Sequence, residues 1–241
     1  MRVSRVAATV LAVTAMGAGL TLPAPAYEAV TVSDGGTIKG RVIFLGSPPA
    51  PRKVIPTKDR EVCGSGVREV DQILLGPDNA VQEAVVYLKG VARGKAWPKP
   101  AARPAIDNLK CDFKPHVQVI APGDFEIVNS DPVLHNTHGF YGRITAFNVA
   151  LPNQGQRIKK PLRRPGLVRV ECDAHGWMLG WVYVADNPYY AVTAKDGGFV
   201  INDVPPGSYT LVGWQEYAGE VELPVTVTAK EVATVTVELK K

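Results

Sequence analysis

Helical periodicity is almost missing from this 241-residue chain. Short β-branched runs alternate instead with Gly, Pro, Asn and Asp turns, a pattern that reads as all-β. Cysteine is scarce at three residues, and there are only four histidines. No Cys-x-x-Cys-His segment is present, which excludes a c-type haem site. Neither His-Glu-x-x-His nor Gly-x-Ser-x-Gly occurs, so the sequence carries no recognisable hydrolase signature. Charge of one sign is also lacking. The formal net charge is +4, and loss of Arg2 and Arg5 would lower it to +2, too little to argue for nucleic acid as a partner. Beyond the first residues, no apolar run is long enough to cross a membrane.

Those first residues read as a secretory signal over 1–26. Arg2 and Arg5 form a basic start, Val6 to Leu22 is an apolar, Ala-rich run, and Ala24-Pro25-Ala26 is a small-residue cleavage pattern. The expectation is a periplasmic or secreted protein with no membrane span after cleavage; an uncleaved anchor is the alternative.

The most informative stretch is Cys172-Asp173-Ala174-His175-Gly176-Trp177-Met178. It places a thiolate, an imidazole and a thioether within seven residues, and Asn129 to Asn136 upstream supplies a second imidazole in His135. Two His, one Cys and a weak axial Met are the donor set of a blue-copper site. The same N and S donors also bind zinc. If Cys172 is a metal thiolate, the other two cysteines, Cys63 and Cys111, are left to form a disulfide in an oxidising compartment.

Strands are expected at Thr37–Leu45, Ala84–Leu88, His116–Ile120, Phe125–Val128, Leu167–Glu171, Gly180–Val184, Gly198–Ile201, Ser208–Val212, Val221–Val227 and Thr234–Leu239. The Pro-rich stretch Trp97 to Pro104 and the segment Asp186-Asn187-Pro188 mark boundaries on either side of the candidate metal region.

Thr193-Ala194-Lys195-Asp196-Gly197-Gly198-Phe199, followed by Val204-Pro205-Pro206-Gly207-Ser208-Tyr209-Thr210-Leu211, resembles the carboxypeptidase regulatory-like (transthyretin-like) β-sandwich module. Gly40-Arg41-Val42 and Ala84-Val85-Val86-Tyr87-Leu88 look like earlier strands of the same module. The resemblance implies one sandwich assembled from residues 28–104 plus 187–241. It is a scaffold and says nothing about catalysis.

Residues 105–186 resemble the cupredoxins, especially amicyanin and plastocyanin. The resemblance rests on Phe113-Lys114-Pro115, a strand, Gly123-Asp124, a strand running into Asn129-Ser130-Asp131, the pair His135-Asn136, and the later Cys-x-x-His-x-x-Met spacing. It implies a Greek-key sandwich, inserted in or followed by the first module, with one mononuclear type 1 copper. His135, Cys172 and His175 would form the trigonal plane, and Met178 the axial contact. Asn136 would fix the two ligand segments against each other. Such a centre needs ligands that barely move when the metal changes oxidation state. One on a strand end and three around a short loop would hold that geometry.

His138 and His116 are the remaining imidazoles. Strand residues three apart face opposite ways, so His138 is a rim residue or an alternative to His135, not a second ligand beside it. His116 is expected on an exposed strand; with Cys111 it would otherwise mark a second site. Trp177 is expected in the interface between the two sandwiches, with Trp181; an apolar contact point for an electron partner is the alternative. Arg157-Ile158-Lys159-Lys160-Pro161-Leu162-Arg163-Arg164 reads as a solvated hairpin or as a patch that steers an acidic redox partner.

The leading expectation is an exported copper protein that passes single electrons between protein redox partners such as a cytochrome or a dehydrogenase. It would not be an enzyme. Multicopper oxidases flank the blue-copper Cys with His, whereas Glu171 and Asp173 flank Cys172 here. Copper storage or delivery, and a metal-free cell-surface interaction module, are the alternatives.

Overall fold

The computed structural model describes residues 27–241, so the signal segment 1–26 lies outside the described residues. Almost every element is a strand; most strands form two separate pairs of packed sheets, and two further sheets have two strands each.

The first pair uses only residues from the two ends of the described chain. One sheet runs in the order Tyr190–Val192, Val85–Lys89, Gly207–Gln215, Gly219–Val227. Facing it is a second, ordered Gly198–Val204, Gly36–Phe44, Val232–Leu239. All neighbours are antiparallel except Gly36–Phe44 with Val232–Leu239. Ile38, Val42, Leu88, Leu211, Val237 and Tyr189 fill the space between them. Each such side chain contributes about 1.5–3 kcal/mol relative to an exposed position. The turn at Asp196-Gly197 needs its glycine: Gly197 has φ 73°, and a Cβ there would lie 2.6 Å from the Val42 carbonyl oxygen.

The second pair lies wholly within 105–184. Its four-stranded sheet is ordered Arg157–Leu162, Gly123–Asn129, Ala105–Leu109, Asp112–Lys114. The five-stranded sheet is ordered Ile144–Leu151, His135–Tyr141, Gly166–Cys172, Leu179–Val184, Val117–Ile120. Strand alternation decides what faces the core. In Gly166–Cys172, Val168, Val170 and Cys172 point inward while Arg169 and Glu171 stay near solvent. In His135–Tyr141, His135, Thr137 and Gly139 face inward and His138 outward. Gly139 is required there, because a Cβ would meet the Phe147 ring at 2.4 Å.

Every strand expected from the sequence is present, within a few residues of its expected ends. The strands that sequence patterning missed include His135–Tyr141, Ile144–Leu151 and Arg157–Leu162. The last of these replaces the expected solvated hairpin. It is an edge strand whose basic side chains are partly neutralised by its neighbour: Arg157 pairs with Glu126 at 2.7 Å, and Arg163 approaches Asp124 at 3.9 Å.

One segment departs from the expected division. Within the stretch that links Gly36–Phe44 to Val85–Lys89, residues 52–70 cross to the second sandwich, and the chain then returns to the first, where Ile73 and Val81 lie in its core and the Val81 N–H donates to the Val42 carbonyl at 2.9 Å. Arg52–Val54 pairs with Arg68–Val70, and a short helix, Arg60–Cys63, lies between them. Val54, Val62 and Cys63 join the core of the second sandwich. Cys63 is disulfide-bonded to Cys111, and Arg68 binds Asp112 at 2.6 Å. This strap therefore packs on the unit that holds the candidate metal ligands. Elsewhere the two sandwiches meet through Trp181 against Trp214 (5.1 Å between rings), Tyr183 stacked on Tyr87 (4.5 Å), and His116 with Glu216 (2.8 Å).

Candidate metal centre

Cys172 ends one core strand and His135 begins its neighbour in the same sheet, with Thr137 opposite Cys172 in the register. The loop 173–178 then turns back towards Leu179–Val184 and carries His175 and Met178. Cys172 Sγ lies 3.8 Å from His135 Nδ1 and 3.7 Å from His175 Nδ1, and the two Nδ1 atoms are 3.1 Å apart. A point equidistant from three atoms so spaced is about 2.1 Å from each. Imidazole nitrogen and thiolate sulfur bind a zinc-sized ion at about 2.0–2.3 Å. Both histidines are fully buried, Cys172 and Met178 are 2% exposed, and Cys172 is the one free cysteine among the described residues.

The outer nitrogens are equally specific. His135 Nε2 lies 2.9 Å from Asp131 Oδ2, and His175 Nε2 lies 2.8 Å from Asp59 Oδ2. A carboxylate can only accept, so each Nε2 carries the proton. The Nδ1 atoms are thus left to point at the sulfur and at one another. Metal-ligating histidines are held in this way. Burial opposes charge on the Cys172 thiol. Hydrogen bonding with the His135 and His175 rings, and from the Asn136 backbone N–H, outweighs it and pulls the thiol down to about 6. Burial likewise opposes charge on His175, but Cys172 and Asp59 raise its pKa overall. A metal ion held by these three atoms would take the place of a proton shared among them.

Asp131 does more than orient His135. Its carboxylate also accepts the backbone N–H groups of Lys110 (2.7 Å) and Cys111 (2.8 Å), in a turn where both residues have φ near 55°. Asn129 orders Asp131 in turn, accepting its N–H at 3.0 Å. His135 is thus fixed to the turn that carries one half of the disulfide.

Asn136 joins the two segments through its backbone N–H, which reaches Cys172 Sγ at 3.5 Å, while its side chain donates to Asn148 at 2.8 Å. Other expectations need correction. The His138 ring faces away from the cluster, bonding Asp173 (3.2 Å) and Thr145 (3.0 Å) and packing on Phe140, so it does not compete with His135. His116 is not an exposed strand residue. Leu179 O and Glu216 engage its two ring nitrogens, and Cys111 is committed to the disulfide, so no second site forms there. Trp177 is buried against His175 (5.1 Å), with its indole N–H donating to the Cys111 carbonyl at 3.2 Å. Its place is inside the second unit, beneath the strap, while Trp181 makes the contact with the first sandwich. Asp59 went unread in the sequence altogether, since nothing in its neighbourhood suggests a role 116 residues downstream.

Residues 173–235 match a family model described as polysaccharide lyase family 4, domain II, rather than the carboxypeptidase regulatory-like module. The match covers well under half of the chain. No curated protein sequence matches the chain. Among solved structures, a purple cupredoxin from Nitrosopumilus maritimus is similar at 24% identity over 34% of this chain and 99% of that one, with a TM-score of 0.31. Amicyanin from Paracoccus versutus is similar at 20% identity over 36% and 85%, with a TM-score of 0.32. A copper-containing nitrite reductase from Thermus scotoductus shares 16% identity over 60% of this chain and 28% of that one, with a TM-score of 0.31. The case for a metal centre here rests on the chain's own side chains: an all-β protein with a buried cluster of two imidazoles and one thiol.

Proposed function

We propose that this chain is an exported type 1 copper protein that carries single electrons between protein redox partners. The observation that carries the reading is the convergence of His135 Nδ1, His175 Nδ1 and Cys172 Sγ, with both outer imidazole nitrogens donating to carboxylates. A soft sulfur with two imidazoles suits copper, and the buried Met178 supplies the weak axial donor of such sites. Bound there, copper would provide a one-electron couple. The protein's part is to hold the donors still: two come from core strands of one sheet, and their outer shells are anchored by Asp131 and Asp59. Burial of all three donors leaves no approach for a substrate, which supports a carrier rather than an enzyme.

The Cys63–Cys111 disulfide supports an oxidising compartment and so a periplasmic or secreted location. The first sandwich would serve as scaffold. Lys159 lies opposite Glu126 in the register, but Lys160 on the same edge strand and Arg164 beyond it form no ion pair among the described residues. They suit an acidic partner such as a cytochrome or dehydrogenase.

The test is to add Cu(II) to the purified mature protein and record visible and EPR spectra beside those of Cys172→Ala. An intense thiolate-to-copper charge-transfer band, absent from the variant, is the expected result. A colourless protein that retains zinc as well as it retains copper would overturn the proposal.

A further inference from the structure

Asp59 belongs by sequence to the stretch between two strands of the first sandwich, yet its carboxylate meets an imidazole of the second. It immediately precedes the helix Arg60–Cys63. An Asp at that position ordinarily accepts a hydrogen bond from the first helical turn. Here the side chain makes no such bond; only the Asp59 backbone carbonyl receives the helix amides of Val62 and Cys63. The residue sits in the left-handed region, at φ 47° and ψ 43°. Asp tolerates that conformation better than most residues, but it is sparsely populated and tends to be kept where surrounding contacts enforce it. The carboxylate, turned away from its own helix, lies 2.8 Å from His175 Nε2.

We infer that Asp59 is a positioning residue for His175, delivered by a strap from outside the ligand-bearing unit, so that the metal centre is assembled from both parts of the chain. The inference rests on the reading of His175 as a metal ligand. Its strongest support is a closed circuit of contacts. Four residues after Asp59, Cys63 is bonded to Cys111. The Cys111 amide is held by Asp131, and Asp131 holds His135. Each imidazole of the cluster is thus oriented by a carboxylate, and the two carboxylates are linked through the disulfide. Arg52, on the first strand of the same strap, approaches the carbonyl oxygen of Trp177 in the ligand loop at 3.4 Å. The strap thereby covers the His175 ring, which has no exposed surface.

The chemical consequence follows from the charge. A carboxylate accepting the Nε2–H fixes the tautomer and makes Nδ1 a stronger donor. A stronger donor favours Cu(II) over Cu(I). Asp59→Asn keeps an acceptor in place but removes the charge, so it raises the reduction potential. A tenfold loss of Cu(II) preference relative to Cu(I) corresponds to about 59 mV for a one-electron couple. Asp59→Ala removes the hold on the ring and weakens metal retention by about 10- to 100-fold. Asp59→Glu restores part of both.

The experiment uses the full mature chain and these three variants. It measures the reduction potential, the EPR spectrum and, independently of redox behaviour, Zn(II) affinity by chelator competition, with far-UV circular dichroism checking the fold. Wild-type potential and wild-type Zn(II) retention in folded Asp59→Asn and Asp59→Ala would overturn the inference. If Asp59→Ala fails to fold, Asp59→Asn and Asp59→Glu decide the matter. A wild-type chain that holds Zn(II) but gives no charge-transfer band with copper sinks the copper reading alone, and the Zn(II) series then judges Asp59. A wild-type chain that holds neither metal sinks both.

Discussion

His135 Nδ1 and His175 Nδ1 face one another across 3.1 Å in a core from which water is excluded, and each ring is tied through its far nitrogen to a carboxylate. Such an arrangement stabilises the fold only when something positive sits between the donors. Metal should therefore raise the melting temperature. At a free metal concentration a thousand times the dissociation constant, the added stability is about 4 kcal/mol. Thermal melts with and without Zn(II) should show it, and Cys172→Ser should lose most of the shift. An equal shift in the variant would place the stabilising ion elsewhere.

Met178→Leu should separate the axial contact from the fold. Exchange of these two side chains in a core costs less than about 1.5 kcal/mol, so the chain should stay folded and keep the charge-transfer band that depends on Cys172. Loss of the thioether removes a weak donor to the oxidised metal, and the reduction potential should rise. Voltammetry of the copper form reads the change; an unmoved potential would mean that the Met178 sulfur does not contact the metal.

The Cys63–Cys111 disulfide closes a loop with a sequence separation of 48 residues. Chain entropy assigns roughly 4 kcal/mol to a loop of that size. Cys63→Ala with Cys111→Ala should lower the unfolding free energy in urea by up to about that amount. It should also loosen the strap, and with it metal retention at His175. A double variant that lost stability while retaining Zn(II) as well as the wild type would show that the strap holds its place without the bond.

His116 joins the sandwiches through Glu216, whose second carboxylate oxygen accepts the Trp181 indole N–H. Burial disfavours the charged ring, but Glu216, helped by Glu83, raises its pKa above the ordinary histidine value. A raised folded-state pKa contributes stability that is fully present below the unfolded value, about 6.5, and is lost as pH rises through the folded one. Urea unfolding should therefore show a loss of stability from about pH 6.5 upward that His116→Gln abolishes. A pH profile unchanged by the substitution would exclude this pair as its cause.

The site was more legible than its supports. Residue types and spacing around Cys172 are local, and alternation along Gly166–Cys172 sets which way the thiol faces, so the sequence pattern singled out His135, Cys172 and His175, which the fold brings together, and Met178, which is buried at the end of the same loop. Strands with strong β-branched patterning, such as Val221–Val227, were equally readable. His135–Tyr141 was not, because His-Asn-Thr-His-Gly carries little apolar signal and becomes a strand only by pairing on both sides. The basic run Arg157–Arg164 misled for a similar reason: two of its charges, Arg157 and Arg163, are paired with Glu126 and Asp124 on a neighbour about thirty to forty residues away in the chain.

What the sequence by itself determined was the all-β class, the turn chemistry and the donor set of the cluster, all of which follow from short-range periodicity and residue type. Only the tertiary structure decided that Asp59 and Asp131 orient the two imidazoles, that Asn136 acts through its backbone, and that residues 52–70 cross to the second sandwich. Those outcomes depend on which distant segments share a core, and a hydrogen bond spanning 116 residues leaves no trace in local pattern. The physical reason is that burial sets partners by proximity in space, whereas periodicity records only which face of a strand each residue occupies.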